Sequence, residues 1–204
     1  MPPKHKVYLE VGRRRVFAGA LDWPGWCRSG RDDDAALQAL VDYGHRYATA
    51  IGRAASGFIP PSDASTLDVV ERLKGQATTD FGAPGIAPKS DSRPLPDAEA
   101  KRLAALLRAC WTKFDRAAAD ATGAALRKGP HGGGRELEAI VSHLLDAERR
   151  RISPAWATKG RAAAATSKRK WPTSAPRSSA CSHAVSAART LCGPAHLLVD
   201  TYSR

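Results

Sequence analysis

Cys181, His183, Cys192 and His196 are spaced C-x-H-x8-C-x3-H, four soft or borderline donors of the kind that hold tetrahedral zinc. The first pair is tighter, and the segment between the pairs shorter, than in familiar zinc fingers, so the plain reading is four ordinary residues of a basic segment. A second group is the loop RKGPHGGGR. Gly132, Gly133 and Gly134 would let backbone N–H groups approach a phosphate or carboxylate, while Arg127, Lys128 and Arg135 supply charge and the next helix adds its positive end. It lacks the Gly-Lys-Ser/Thr ending of a nucleotide P-loop, and its alternative is a flexible helix connection. A third group is the loop LDWPGWCRSG, in which Trp23, Trp26, Cys27 and Arg28 would face a partner or ligand. Arg28 beside Cys27 would favour a thiolate, whereas packing under the tryptophans would make Cys27 inert. No paired carboxylates, nucleophile elbow or Ser/His/Asp grouping stands out, so the residues point to binding before catalysis.

Charge is divided unevenly along the chain. The 204 residues carry a formal net charge of +12. Residues 1–148 hold 21 Lys/Arg against 19 Asp/Glu, and residues 149–204 hold 11 against 1. The basic tail, with Arg149 to Arg151 and Lys168-Arg169-Lys170-Trp171, would attract nucleic acid by counterion release, with Trp156 or Trp171 stacking on bases. A solvated tail has the same composition. No apolar run approaches the roughly 20 residues that cross a bilayer, and MPPKHKVYLEVGRRR lacks the apolar stretch of a signal peptide. A cytoplasmic protein without disulfides is expected, so Cys27, Cys110, Cys181 and Cys192 are free thiols or ligands.

The elements that must position these groups begin with two β-prone runs, Val7–Val11 and Val16–Ala20, joined by Gly12-Arg13-Arg14-Arg15 as a hairpin. Asp32 can cap a helix with Asp33 and Asp34 in its first turn, running to about Tyr43 or beyond, with Ala36, Leu37, Leu40 and Val41 inward. Leu67–Leu73 reads as a short, partly buried strand. Residues 75–96 are rich in Gly, Pro, Asp and Ser and read as a linker between two modules. Pro96 suits the start of a helix whose stripe is Leu103, Leu106, Leu107, Cys110, Trp111 and Phe114. ELEAIVSHLLDAERRR is a further helix, with Leu137, Ile140, Val141, Leu144 and Leu145 apolar. Two amphipathic helices cannot bury both faces alone, so they need more helices, the first module or a second copy in a homodimer.

The hairpin followed by LDWPGWCRSGRDDDAALQAL resembles the HicB-like antitoxin domains over roughly the first 45 residues. The resemblance implies a partial RNase-H-like sheet that binds a toxin protein; the pair Trp23 and Trp26 departs from the usual loop. Over about 95–150, IVSHLLDAE is similar to the second helix of DinB-like bundles, which include metal- and thiol-dependent transferases. That likeness implies a divalent metal, zinc or nickel, with His143 as one ligand. On a helical wheel His143 lies off the Leu137/Val141/Leu144 stripe, in line with Ala139 and Ala147, and a lone histidine there is ordinarily just polar surface. The family completes its site with a His-x-x-x-His pair on a later helix, and this sequence has no such pair.

Together these readings give an α+β chain: a small HicB-like hairpin-plus-helix module (1–74), a linker (75–95), an incomplete DinB-like helical module (96–151) and a disordered, low-complexity basic tail (152–204). The loss of acidic residues and of helical periodicity at the last boundary is also what a shifted reading frame in a GC-rich gene produces. The expected activity is binding of a partner protein or a small anionic ligand held between the WPGWC and RKGPHGGGR loops. Two alternatives stay open: a degenerate or truncated metal- and thiol-dependent transferase, and nucleic-acid binding through the tail.

Overall fold

The computed structural model describes residues 4–55, 57–124, 126 and 136–152. The glycine loop from Arg127 to Arg135 and everything after Ile152, with Cys181, His183, Cys192, His196 and the basic tail, lie outside the described residues.

The chain is α+β, built on a four-stranded sheet. Strand β1 (His5–Val11) pairs antiparallel with β2 (Val16–Ala20), and β2 pairs antiparallel with β3 (Cys27–Gly30). Strand β4 (Leu67–Lys74) returns parallel to β1, giving the order β3-β2-β1-β4. Side chains alternate across the pleat. Val7 and Leu9 of β1 and Val16, Ala18 and Ala20 of β2 therefore share one face, buried under the helices, while Tyr8, Glu10 and Phe17 occupy the other.

Helix α1 (Asp33–Asp42) starts where expected. The Asp32 side chain accepts from the Ala35 N–H at 2.8 Å, and Asp33 and Asp34 sit against the positive end of the helix dipole. Ala36, Leu40 and Val41 are buried on the sheet. The helical run does not stop at Tyr43. A second helix, α2 (Gly44–Ile51), follows directly and buries Tyr47 and Ile51; it ends at Gly52, whose φ of 51° lies in the left-handed region. Arg72 of β4 pairs with Asp33 across the first turn of α1.

The segment 75–96 is not an extended tether. After β4 it forms a short helix, α3 (Ala77–Phe81), and a 3-10 turn over Lys89–Ser92. The Arg14 N–H donates to the Asp80 carboxylate at 2.8 Å, and the Lys89 N–H donates to Glu71 at 3.1 Å. The segment is thus held against the hairpin turn and β4, on backbone donors that composition alone does not reveal.

Helix α4 (Asp97–Asp120) spans 24 residues, about 36 Å. Its first half joins the sheet's core through Leu103 and Leu106, packing beside α2 and the 3-10 turn at Gly52–Ala55. Ala109 and Cys110 still pack against that core, while Leu107 and Phe114 join Leu144 of α5 (Leu137–Ile152) in a separate small core. The helical region therefore shares its first half with the sheet unit, and the division expected at residues 75–95 does not separate two independent cores. Among the described residues, no helix is long and apolar enough to cross a membrane.

Candidate functional site

The WPGWC loop folds inward. Trp26 is fully buried, and its indole N–H donates to the Leu40 carbonyl at 2.9 Å. A buried indole keeps its N–H only with a partner, and here the end of α1 supplies it. His5, Tyr47 and Phe58 surround Trp26 at ring separations of 5.0, 6.1 and 5.0 Å, and Trp23 meets Phe58 edge-on at 5.0 Å. The Tyr47 hydroxyl donates to the Pro24 carbonyl at 3.0 Å, fixing the turn from below. Trp23 and Trp26 are therefore core residues, correcting their expected place on a partner-facing loop: an aromatic cluster drawn from four separate segments outcompetes solvent for them. Proline and glycine made the segment read as a surface loop. His5 and Phe58, which complete the cluster, were not marked by any spacing.

Arg28 and Cys27 remain half-buried. The Arg28 guanidinium lies 3.4 Å from the Tyr43 ring centroid, a cation–π contact that joins β3 to the end of α1. Cys27 lies opposite Gly19 of β2. Arg102 of α4 stands 5.1 Å from the Trp23 ring centroid, tying the long helix to the turn.

On the opposite face of the sheet, Glu10 is fully buried yet satisfied. Its carboxylate accepts from the Thr79 hydroxyl, from the Gly85 N–H at 3.0 Å and from the Ile86 N–H at 3.0 Å. Thr79 in turn accepts from the Gln76 N–H at 2.8 Å. A buried carboxylate is tolerated only with such partners. The arrangement pins the 76–86 segment over the sheet and leaves no lone pair aimed at a substrate.

His143 is exposed on α5. Among the described residues, no group of three or more His, Cys, Asp or Glu side chains could hold a metal ion. Asp32 caps α1, and Asp63 caps the 3-10 turn Ala64–Thr66. Asp32 is held below its ordinary carboxylate range, chiefly by the Ala35 N–H, and Asp63 chiefly by the Ser65 hydroxyl.

Among the described residues, two surfaces stand open. The first is β4, which closes the sheet on one side and faces solvent on the other. Its register on β1 skips at Val70, because Val7 faces Val69 while Tyr8 faces Glu71. Val69 and Val70 are 36% and 47% exposed, whereas every residue of β2 is buried. The second is a groove between the end of α4 and the start of α5, lined by Ala118, Ala119 and Thr122 on one side and Leu137, Val141 and Leu145 on the other. Compared with known proteins, the chain matches no family model, no curated protein and no solved structure.

Proposed function

We propose that the chain is a non-catalytic binding protein, a HicB-like α/β unit continued by half of a DinB-like helical bundle, and that it receives a protein partner on the outer edge of β4. The observation that carries this reading is the edge itself: an eight-residue strand with Val69 and Val70 exposed and, among the described residues, bonded to the sheet on one side alone. An unpaired strand edge offers a row of backbone donors and acceptors that a partner strand can complete, with alternate side chains giving specificity. The order of hairpin, short strand, acid-capped helix and parallel return strand supports the HicB-like part. The inward tryptophans take most of the WPGWC loop away from a small anionic ligand, which favours a protein as the partner.

The test is affinity capture from the host lysate with the wild-type chain beside Val70→Lys, a charged edge of the kind that blocks strand addition. The exposed position makes the substitution close to neutral for folding, within about 0.5 kcal/mol. The expected result is a protein retained by the wild type and lost by Val70→Lys. Equal retention by both chains refutes the edge as the binding surface.

A further inference from the structure

At one end of the sheet the turn between β1 and β2 meets the short helix α3, and three arginines come to lie beside a bare aromatic ring. Arg13, Arg14 and Arg15 are all exposed, on a turn closed by the Gly12 N–H donating to the Arg15 carbonyl at 2.9 Å. Among the described residues, none of their guanidinium groups sits in an ion pair. The Arg14 N–H holds α3 against the turn by donating to Asp80 at 2.8 Å. The Arg15 guanidinium lies 3.6 Å from where a Cβ on Gly82 would stand, one residue beyond Phe81. We infer that this end of the sheet binds single-stranded nucleic acid, the arginines taking phosphates and Phe81 stacking on an unpaired base. The inference does not depend on the β4 reading.

Phe81 is 90% exposed, the most exposed of the large apolar side chains among the described residues. Its direction is set by the bonds that hold α3. Thr79 is buried with its hydroxyl on Glu10, and successive helical residues step by about 100°, so Phe81 stands about 200° round from Thr79, away from the sheet. A ring held this way stacks on any unpaired base without first being ordered. The guanidinium fork takes a phosphate through two bonds and keeps its charge at any physiological pH.

Charge selects an anionic occupant, since three arginines here face one acid, Asp80, whose carboxylate already accepts from the turn. Residues 149–204 carry 11 Lys/Arg against Asp200 alone, so the chain's own tail has the wrong sign for this surface. A lipid surface fits less well than a nucleic acid. Beside Phe81, Thr78, Gly82 and Ala83 supply no second large apolar side chain to enter a bilayer. The tail adds its own attraction for phosphates, so the experiment compares full-length chains that differ only at this end of the sheet.

The probe is a fluorescent single-stranded oligothymidylate of about 12 nucleotides, titrated by anisotropy over a range of salt. The chains are wild type, Phe81→Leu, Phe81→Trp and the triple variant Arg13→Gln/Arg14→Gln/Arg15→Gln. All four positions are exposed, and Asp80 is held by the Arg14 backbone, so the folds stay in place, which circular dichroism checks. Phe81→Leu keeps an apolar side chain without a ring and is expected to weaken binding about tenfold, whereas Phe81→Trp binds at least as well as wild type. The triple variant is expected to lower the slope of log affinity against log salt by about 2, for three phosphates at about 0.7 each. Photocrosslinking with a bromouracil-substituted strand is expected to mark Phe81. A wild type that does not bind the strand overturns the inference. So do Phe81→Leu and triple-variant chains that bind as wild type does, or crosslinks confined to residues after 148. Phosphatidylserine vesicles form the last arm: vesicle binding lost in the triple variant and kept by Phe81→Leu, with strand binding unchanged in both, assigns the surface to lipid and overturns it too.

Discussion

Replacing Glu10 by glutamine removes a charge without changing the shape of the most enclosed polar group in the sheet. In the native fold the carboxylate is fully buried and takes bonds from the Thr79 hydroxyl and from the Gly85 and Ile86 N–H groups. The glutamine keeps one acceptor oxygen. Whichever way the amide is turned, its NH2 faces a donor that had been satisfied. A hydrogen bond to a charged group contributes about 1.5–3 kcal/mol net, and a stranded buried donor costs about 1–3 kcal/mol, so a loss of about 2–4 kcal/mol is expected. With a urea slope of about 1–3 kcal/mol/M, the unfolding midpoint falls by about 1–2 M. Amide exchange should rise most at Gly85 and Ile86, because the released segment is the one those bonds hold. Glu71→Gln is the control, since Glu71 accepts from the Lys89 N–H at an exposed site; it should change stability by about 0.5 kcal/mol or less. Equal midpoints for the Glu10→Gln and wild-type chains, with Gly85 and Ile86 exchanging as before, would refute the claim that this carboxylate pins the segment.

Three other outcomes follow from the same packing. Trp26→Phe removes the donor to the Leu40 carbonyl and opens space among His5, Tyr47 and Phe58; thermal or urea unfolding should show a loss of about 2–4 kcal/mol. Gly30→Ala would place a Cβ 2.3 Å from the Ala36 backbone nitrogen, so α1 must move off β3; a cost of about 1–3 kcal/mol is expected, read from the urea midpoint and from near-ultraviolet circular dichroism of the tryptophans. Asp32 titrates below its ordinary value in the folded chain, chiefly because it accepts from the Ala35 N–H. Its stabilising effect is therefore present above the unfolded carboxylate pKa and is lost as pH falls through the folded one. Asp32→Asn keeps a cap but cannot titrate, so its urea midpoint should fall less steeply than that of wild type on the acid side, and parallel curves would contradict this.

The hairpin, the capped start of α1, the stripe of α4 and the run of α5 could be read from the sequence because each rests on local chemistry: alternation, a side-chain cap, or apolar spacing of three and four. Strand β3 could not. CRSG has no strand preference of its own and is held by pairing with β2 and by the close fit of Gly30 under α1. Helix α2 hid behind Tyr43, where one helix passes into the next without proline or a polar cap. The hold on the 75–96 segment was hidden for a related reason. Composition marks glycine and proline, but not that the N–H groups of Gly85 and Ile86 would meet a carboxylate more than seventy residues earlier. The tryptophan pair was visible as a feature, and its direction was not: burial was decided by Leu40, Tyr47 and Phe58, all distant in sequence. Of the candidate site residues, His143 stands exposed without a metal-binding cluster among the described residues. The open edge of β4 is not legible in the sequence, because exposure of Val69 and Val70 depends on which strand ends the sheet.

Amide hydrogen exchange across Leu67–Lys74, in the chain alone and with its captured partner, tests the binding reading most directly. Protection of β4 amides on binding, with α1 and α2 unchanged, is the expected result. Protection confined to α1, α2 or the β3 edge, with β4 exchanging as in the free chain, would contradict it.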